Sequence, residues 1–318
     1  MEYRLLGKTG VRVSPLCFGT MSFGNDADEA TSLALYKRCR DAGINFFDCA
    51  NSYSHGRAEE ILGKCIAGSR AELVITSKVY ATTGPDPLAR GASRRNIMAE
   101  VETSLRRLGT DHLDIYFIHH FDYDTPLAET LRALDDLVRM GKVLYPAASN
   151  FAAWQVAKSL GLSARNGWAP FEVLQPMYNL VKRQAEVEIL PMAQSEGLGV
   201  ITYSPLGGGL LTGKYAAGER PEQGRLLVDT AYQKRYKADW VHDAATHFSQ
   251  FAQQRGFNPA ALAVAWVASH PAITAPIIGA RNLEQLEGSL QSLDVHMTSE
   301  LRAEISALSP TPPAAHDR

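Results

Sequence analysis

Residues 44–53 read I-N-F-F-D-C-A-N-S-Y, and the stretch turns from apolar to polar within one residue. Ile44, Phe46 and Phe47 form a short apolar run. Asp48 ends it, and Tyr53 follows five residues later, ahead of Ser54-His55-Gly56. A short apolar run closed by polar groups reads as an interior strand that delivers its end to a site. Taken alone, it reads equally well as a strand whose Asp caps the next helix and whose Tyr only packs. The flanking sequence has to separate the two.

Outward from this stretch the chain alternates. Apolar runs predict strands over 16–20, 45–49, 73–79, 113–119, 143–149, 171–175, 200–203 and 273–278. Between them, apolar residues at helical spacing predict helices over 29–43, 58–67, 95–109, 127–141, 152–160, 187–197, 240–256 and 259–269, with closing helices over 283–293 and 299–308. Strand then helix, repeated eight times, is the sequence form of an α/β chain folded as a (β/α)8 TIM barrel. Residues 3–15 add an N-terminal β-hairpin around Gly7-Lys8-Thr9-Gly10. An open doubly wound sheet is the competing fold. It would place a G-x-G-x-x-G turn after an early strand, whereas the early turn Gly19-Thr20-Met21-Ser22-Phe23-Gly24 lacks that spacing. The 318 residues suit one barrel domain over 1–318. Two stretches break the rhythm. Residues 207–239 are long, glycine-rich and charged, and predict a cofactor or substrate loop. Residues 309–318, S-P-T-P-P-A-A-H-D-R, predict a flexible tail.

Composition narrows the class of function. Hydrophobic residues make up 45% and charged residues 21%, as in a soluble globular protein. Lys and Arg number 32 against 34 Asp and Glu, a net charge of −2, which gives no reason to expect nucleic acid or an anionic membrane as partner. Cys17, Cys39, Cys49 and Cys65 form no C-x-x-C pair, and Met1-Glu2-Tyr3-Arg4 does not open a hydrophobic targeting segment. No apolar stretch approaches the roughly 18 residues that span a bilayer. A cytoplasmic protein with reduced thiols is expected.

In such a barrel the site lies at the C-terminal ends of the strands. The predicted strands end on Asp48 with Tyr53 just beyond, Lys78, His119-His120, Ser149-Asn150, Gln175, Tyr203-Ser204-Pro205 and Gly279-Ala280-Arg281. Each residue alone has an ordinary explanation, such as a snorkelling lysine or a helix cap. Together, Asp48, Tyr53, Lys78 and His119 form a proton-transfer set on three consecutive strand ends. A tyrosine hydroxyl has an ordinary pKa near 10. Lys78 as a neighbouring cation lowers it, and Asp48 keeps Lys78 charged and fixed. His119 can donate a hydrogen bond to a carbonyl oxygen as negative charge develops there. That chemistry suits protonation of a carbonyl oxygen while hydride reaches its carbon, and hydride requires a cofactor.

At these residues the sequence resembles the aldo-keto reductase superfamily, in the subgroup of bacterial reductases and potassium-channel β subunits. The motifs F-D-C-A-N-S-Y, T-S-K-V, L-D-I-Y-F-I-H, S-N-F, Y-S-P-L-G-G-G-L-L-T-G-K and I-I-G-A-R-N-L-E-Q-L occur in order over nearly the whole chain. The resemblance implies NADP(H)-dependent reduction of small-molecule aldehydes or ketones, with Tyr53 as general acid, Lys78 and Asp48 tuning it, and His119 orienting the substrate oxygen. It implies that Gly19, Thr20, Met21 and Asp48 lie along the nicotinamide, that Ser149, Asn150 and Gln175 bind its carboxamide, and that Tyr203 stacks on its ring. Ser204, Pro205, Leu206, Gly208, Leu210 and Lys214 match the segment covering the pyrophosphate, with Arg225 closing over the cofactor. Gly279, Ala280, Arg281 and Gln285 match the adenosine-phosphate pocket, where Arg281 before a helix N-terminus suits a ribose 2′-phosphate. The family's Glu-Asn pair at the adenine is replaced by Gly288-Ser289. Ser289 then offers a single hydrogen bond, and NAD(H) becomes admissible as well.

Two other readings compete. A metal-dependent barrel hydrolase would use His55, His119, His120 and Asp122, but such sites commonly carry an H-x-H pair on an early strand, and residues 16–20 hold no His. A cofactor-sensing regulatory subunit would share the same four residues and turn over extremely slowly. The expected substrate walls are Phe23, Tyr80, Phe121 and part of 207–239, such as Tyr232, which suits an aromatic or apolar carbonyl compound.

Overall fold

All eight predicted strands occur, and all pair in parallel around one closed barrel. The computed structural model describes residues 1–215, 226 and 230–315. The hairpin strands are β1 (Arg4–Leu5) and β2 (Arg12–Val13), antiparallel to each other. The barrel strands are β3 (Cys17–Gly19), β4 (Phe46–Asp48), β5 (Val74–Val79), β6 (Leu113–Ile118), β7 (Val143–Ser149), β8 (Val173–Gln175), β9 (Gly199–Thr202) and β10 (Ala275–Ile278), closed by the pairing of β10 with β3. The helices between them include α1 (Glu29–Asp41), α2 (Arg57–Ile66), α3 (Arg94–Leu108), α4 (Leu127–Arg139), α5 (Ala153–Asn166) and α6 (Ile189–Glu196).

The two-residue period of a strand sorts the barrel into layers. Cys17, Phe46, Val74, Ile115, Phe117, Ala147, Val173, Ile201, Ala275 and Ile277 fill the interior. Leu6 and Val13 of the hairpin join that cluster and are fully buried, so the hairpin plugs the N-terminal end. Gly7 is required there. Its φ is +54°, and a Cβ would stand 2.3 Å from the backbone nitrogen of Gly199. Residues of opposite parity, such as Ile75, Tyr116, Ile118, Leu174 and Val200, pack outward against the helices. Continuing the inward parity toward the other end reaches Gly19, Asp48, Thr76, Lys78, His119, Ser149, Gln175, Tyr203 and Gly279. The interior therefore changes from apolar to polar at its C-terminal mouth.

Differences from the sequence-based boundaries have local causes. Helix α5 was expected to stop at residue 160 but runs on to Asn166, through Gly161. A glycine costs about 1 kcal/mol inside a helix, and here the half-buried Leu160 and Leu162 continue the packing until Gly167 ends it at φ +66°. Residues 207–239 are not loop throughout. Gly207–Thr212 form 3-10 turns and Thr230–Arg235 a short helix, α7, followed by a helix over Asp239–Gln254. Arg225 lies outside the described residues. In the expected tail, Ser309 is buried and its carbonyl accepts a hydrogen bond from Arg183, while 310–315 have no regular secondary structure. No described helix is long and apolar enough to cross a membrane.

Candidate active site

The polar layer is organised by Lys78. Its ammonium is fully buried and has three N–H donors. They go to Asp48 Oδ2 at 2.6 Å, the Cys49 carbonyl at 2.7 Å and the Tyr53 hydroxyl oxygen at 3.2 Å. Burial disfavours the charged amine, but the Asp48 carboxylate and the Tyr53 oxygen outweigh it, so Lys78 is held protonated above its ordinary range. Asp48, 2% exposed, also accepts from Thr76 Oγ1 and Gln175 Nε2 through Oδ1, both at 2.8 Å. The carboxylate is thus saturated by one charged and two neutral donors.

Tyr53 stands at the edge of this group. Its oxygen accepts from Lys78, which leaves its own proton free to point into the mouth. The sequence led us to expect a lowered phenol pKa. The balance goes the other way: burial pushes it up to about 12, and Lys78 recovers only part of that. The chain leaves Tyr53 through Ser54 and His55 at φ +48° and +55°, two successive left-handed residues that cost of order 1–3 kcal/mol each. Ser54 Oγ anchors the turn on the Phe23 carbonyl at 2.7 Å.

His119 closes the set. Its ring lies edge-on to Tyr53 at 6.1 Å and stacks on His120 at 5.3 Å. Burial, then the Lys78 charge, then His120 hold it well below its ordinary pKa, so the imidazole is neutral. Its Nδ1 is buried without a partner. Among the described residues no group of three or more His, Cys, Asp or Glu side chains is placed to hold a metal ion.

The strand ends opposite carry amides and hydroxyls. Asn150 Nδ2 donates to the His119 carbonyl at 2.8 Å and to Ser149 Oγ at 3.0 Å, and its Oδ1 accepts from the Tyr203 hydroxyl at 2.7 Å. Ser149 Oγ donates to the Gln175 carbonyl at 2.9 Å. Asn150 and Ser204 both turn the chain off their strands at positive φ, +57° and +58°. Gly19 and Thr20 are buried at the mouth, Thr20 bonding the Asp48 carbonyl through N and Oγ1, while Met21 is exposed. Across the opening, Gly279 is exposed and Ala280 buried, and the Arg281 backbone N–H donates to Gln285 Oε1 at 3.1 Å. The helix that follows (Leu283–Leu290) is capped by Asn282. The Arg281 guanidinium has one ion-pair partner among the described residues, Asp26 at 3.8 Å.

Several expected residues stand differently. Phe23 is 0% exposed and packs on Phe18, so it is core and not a substrate wall. Tyr80 and Phe121 are half-buried, and Tyr232 is buried. Pro205 and Leu210 are buried, so from 204 to 214 the segment offers a ligand its backbone with the polar groups of Ser204 and Lys214, and Leu206 is half-buried. Gly208 is needed where it is. Its φ is +69°, and a Cβ would stand 2.8 Å from the Tyr232 ring. Ser289 is 1% exposed and its hydroxyl has no partner. Reading the sequence for polar strand ends missed Thr76, although its inward parity marks it. It also missed a buried network behind the Tyr53 loop. There Ser77 Oγ and Arg107 hold Glu59, Arg107 also bonds the Asn51 carbonyl, and Asn51 Nδ2 bonds Glu100 at 2.6 Å. Ser77 lies on the strand's outward face, Glu59, Glu100 and Arg107 lie on helices and Asn51 lies in the turn before Tyr53, and no mouth-directed signal marks them.

The bare backbone over Gly207–Gly209, the amides at 149–150 and 175, the cation before a helix N-terminus and the orphaned Ser289 hydroxyl fit an elongated, anionic dinucleotide with an amide-bearing ring at its inner end. The model of the Aldo/keto reductase family matches residues 15–310. The chain is 38% identical to an uncharacterized oxidoreductase, YrpG, of Bacillus subtilis, over 98% of this chain and 97% of that protein. It is 36% identical to a probable voltage-gated potassium channel subunit beta of Arabidopsis thaliana, over 93% and 92% of the two chains. To the L-glyceraldehyde 3-phosphate reductase of Escherichia coli K12 it is 34% identical, over 92% and 88%.

Proposed function

The chain belongs to the aldo/keto reductase family of oxidoreductases, and from that premise we propose that it reduces aldehydes or ketones to alcohols with NADPH, using Tyr53 as the proton donor. One observation carries the reading. All three donors of Lys78 are committed, one of them to the Tyr53 oxygen, so the phenol proton is the hydrogen left to give at the mouth. A bound nicotinamide supplies the hydride. The residues of this chain do the rest. Tyr53 and neutral His119 converge on the position of a carbonyl oxygen, one giving its proton and the other a hydrogen bond as negative charge builds. Phenolate left on Tyr53 after the transfer is stabilised by the Lys78 ammonium, which Asp48, Thr76 and Gln175 hold in place.

Ser149, Asn150 and Gln175 would hold the carboxamide and Tyr203 would flank the ring. Gly19, Thr20 and Met21 would line it, and 204–214 would cover the pyrophosphate. Gly279, Ala280, Arg281 and Gln285 would take the adenosine phosphate, and the buried hydroxyl of Ser289 is the one group at 288–289 able to bond the adenine. Arg281 favours NADP over NAD. Its 3.8 Å contact to Asp26 joins two partly exposed groups and is worth under about 1 kcal/mol, so a 2′-phosphate can recruit it. A regulatory subunit that binds NADPH with little turnover is the second reading, favoured by the similarity to a channel β subunit. The experiment is the reduction of para-nitrobenzaldehyde with NADPH carrying deuterium at the transferable position. One deuterium at the carbinol carbon per NADPH consumed is expected. Tight NADPH binding with no alcohol formed would favour the regulatory subunit.

A further inference from the structure

Among the described residues, two cations at the rim of the mouth have no carboxylate in ion-pair range. Lys182 follows β8, in the turn bridged by Asn179 and Lys182, and Arg235 ends α7. Each lies over an aromatic ring. The Arg235 guanidinium is 4.8 Å from the Tyr232 centroid, and the Lys182 ammonium 5.8 Å from that of Tyr236. The two rings pack at 6.2 Å and are tied to the segment after Tyr203. Tyr232 Oη lies 3.3 Å from Ser204 Oγ, and Asn179 Nδ2 donates both to the Tyr236 hydroxyl at 3.1 Å and to the Ser204 carbonyl at 2.8 Å. The cations are therefore mounted on the strand end that carries Tyr203, one of the residues bonded to Asn150 beneath.

Among the described residues neither cation has a carboxylate within ion-pair distance, whereas half-buried Arg38 and Arg70 pair with Glu287 and Asp114, and buried Arg183 pairs with Glu186. The Arg235 charge is felt toward the site. After burial, Arg235 is what lowers His120, and it lowers Lys182 as well. His120 stacks directly on His119. Holding two like charges together, partly desolvated and uncompensated, costs stability, and such a cost persists where a ligand answers it.

We propose that Lys182 and Arg235 form an anion-recognition subsite at the rim, selecting carbonyl substrates that carry a carboxylate or phosphate group. This rests on the carbonyl-reductase reading above. Arg235 supplies a planar fork suited to either anion and Lys182 a point charge. With the anion at the rim, the remainder of the substrate reaches inward past His120 toward Tyr53 and His119.

The test compares three aldehydes on one ring: para-nitrobenzaldehyde, para-carboxybenzaldehyde and para-formylphenyl phosphate. In wild type, kcat/KM for the better anionic aldehyde exceeds that for the neutral one, and whichever is better identifies the anion. In Arg235→Gln and in Lys182→Gln the ratio of anionic to neutral kcat/KM falls about tenfold, mainly through KM, the size expected for one charged hydrogen bond. Arg235→Lys keeps part of the ratio, which separates lost charge from lost folding. NADPH affinity, read by quenching of protein fluorescence, stays at the wild-type value in all three variants. A ratio that does not move overturns the subsite while leaving carbonyl reduction standing. A loss of NADPH affinity in step with the ratio also overturns it, because the cations would then serve the cofactor. Reduction of none of the three aldehydes removes both readings together.

Discussion

Replacing Lys78 by Met separates what the buried ion pair does for folding from what it does for chemistry. Methionine keeps much of the side-chain volume and removes the charge. Asp48, 2% exposed, then loses its 2.6 Å cation but keeps the hydroxyl of Thr76 and the amide of Gln175. Breaking one side of a buried pair costs about 3–5 kcal/mol, and two retained donors place this case at the lower end, about 3 kcal/mol. Asp48→Asn with Lys78→Met removes both charges, and the asparagine oxygen can still accept from Thr76 and Gln175. The double variant should therefore recover about 2 kcal/mol of the loss. Activity should not recover. Without Lys78 the Tyr53 phenol, already raised to about 12 by burial, loses the group that pulls it back, and turnover falls by about two to four orders of magnitude in single and double variants alike. Urea unfolding at constant m-value gives the stabilities, and NADPH consumption with an aromatic aldehyde gives the rates. A single variant within 1 kcal/mol of wild type, or a double variant no more stable than the single, would refute the buried-pair reasoning. Wild-type turnover in either variant would refute the catalytic half.

Three further outcomes are expected. Arg281→Ala should raise KM for NADPH about tenfold or more while changing KM for NADH little; equal changes would remove the 2′-phosphate assignment. Gly208→Ala puts a Cβ 2.8 Å from Tyr232 at φ +69°, so NADPH affinity should drop and stability fall by about 1–3 kcal/mol, whereas a neutral substitution would mean the 207–209 backbone relaxes freely. His119, His120 and His270 are held below their ordinary value of 6.5, chiefly by burial. On acidification the unfolded chain takes up these protons first, so their contribution to stability is complete above 6.5 and is lost progressively below it. His119→Asn should flatten part of that acid slope, and an unchanged slope would mean that His119 does not titrate with unfolding.

The barrel and the four central residues were legible because both follow from periodicities. The alternation of strand and helix set the topology, and the two-residue period within strands placed Asp48, Lys78, Gln175 and Tyr203 on one parity at one end. Strand boundaries moved by at most two residues and most helix ends by at most three, whereas α5 runs six residues past its expected end because packing carries it through Gly161. The sign of the Tyr53 shift was not legible, because it depends on the depth of burial against one neighbouring charge, and sequence shows only the charge. Phe23 was misplaced for a similar reason: an aromatic in a mouth loop can face either way, and here it closes on Phe18. The Glu59–Arg107 and Glu100–Asn51 contacts join α2, α3 and the Tyr53 loop across many residues of sequence, and only the packed structure brings them together. The rim cations escaped notice because Arg235 belongs to a helix inside a stretch read as loop.

The most direct test of Tyr53 as proton donor is NADPH oxidation with para-nitrobenzaldehyde in wild type and Tyr53→Phe, with NADPH affinity measured on the same preparations. Alcohol formed in step with NADPH by wild type, a rate lower by about two orders of magnitude or more in the variant, and equal NADPH binding by both are the predicted results. Undiminished turnover in Tyr53→Phe, or no turnover in a wild type that binds NADPH tightly, would contradict it.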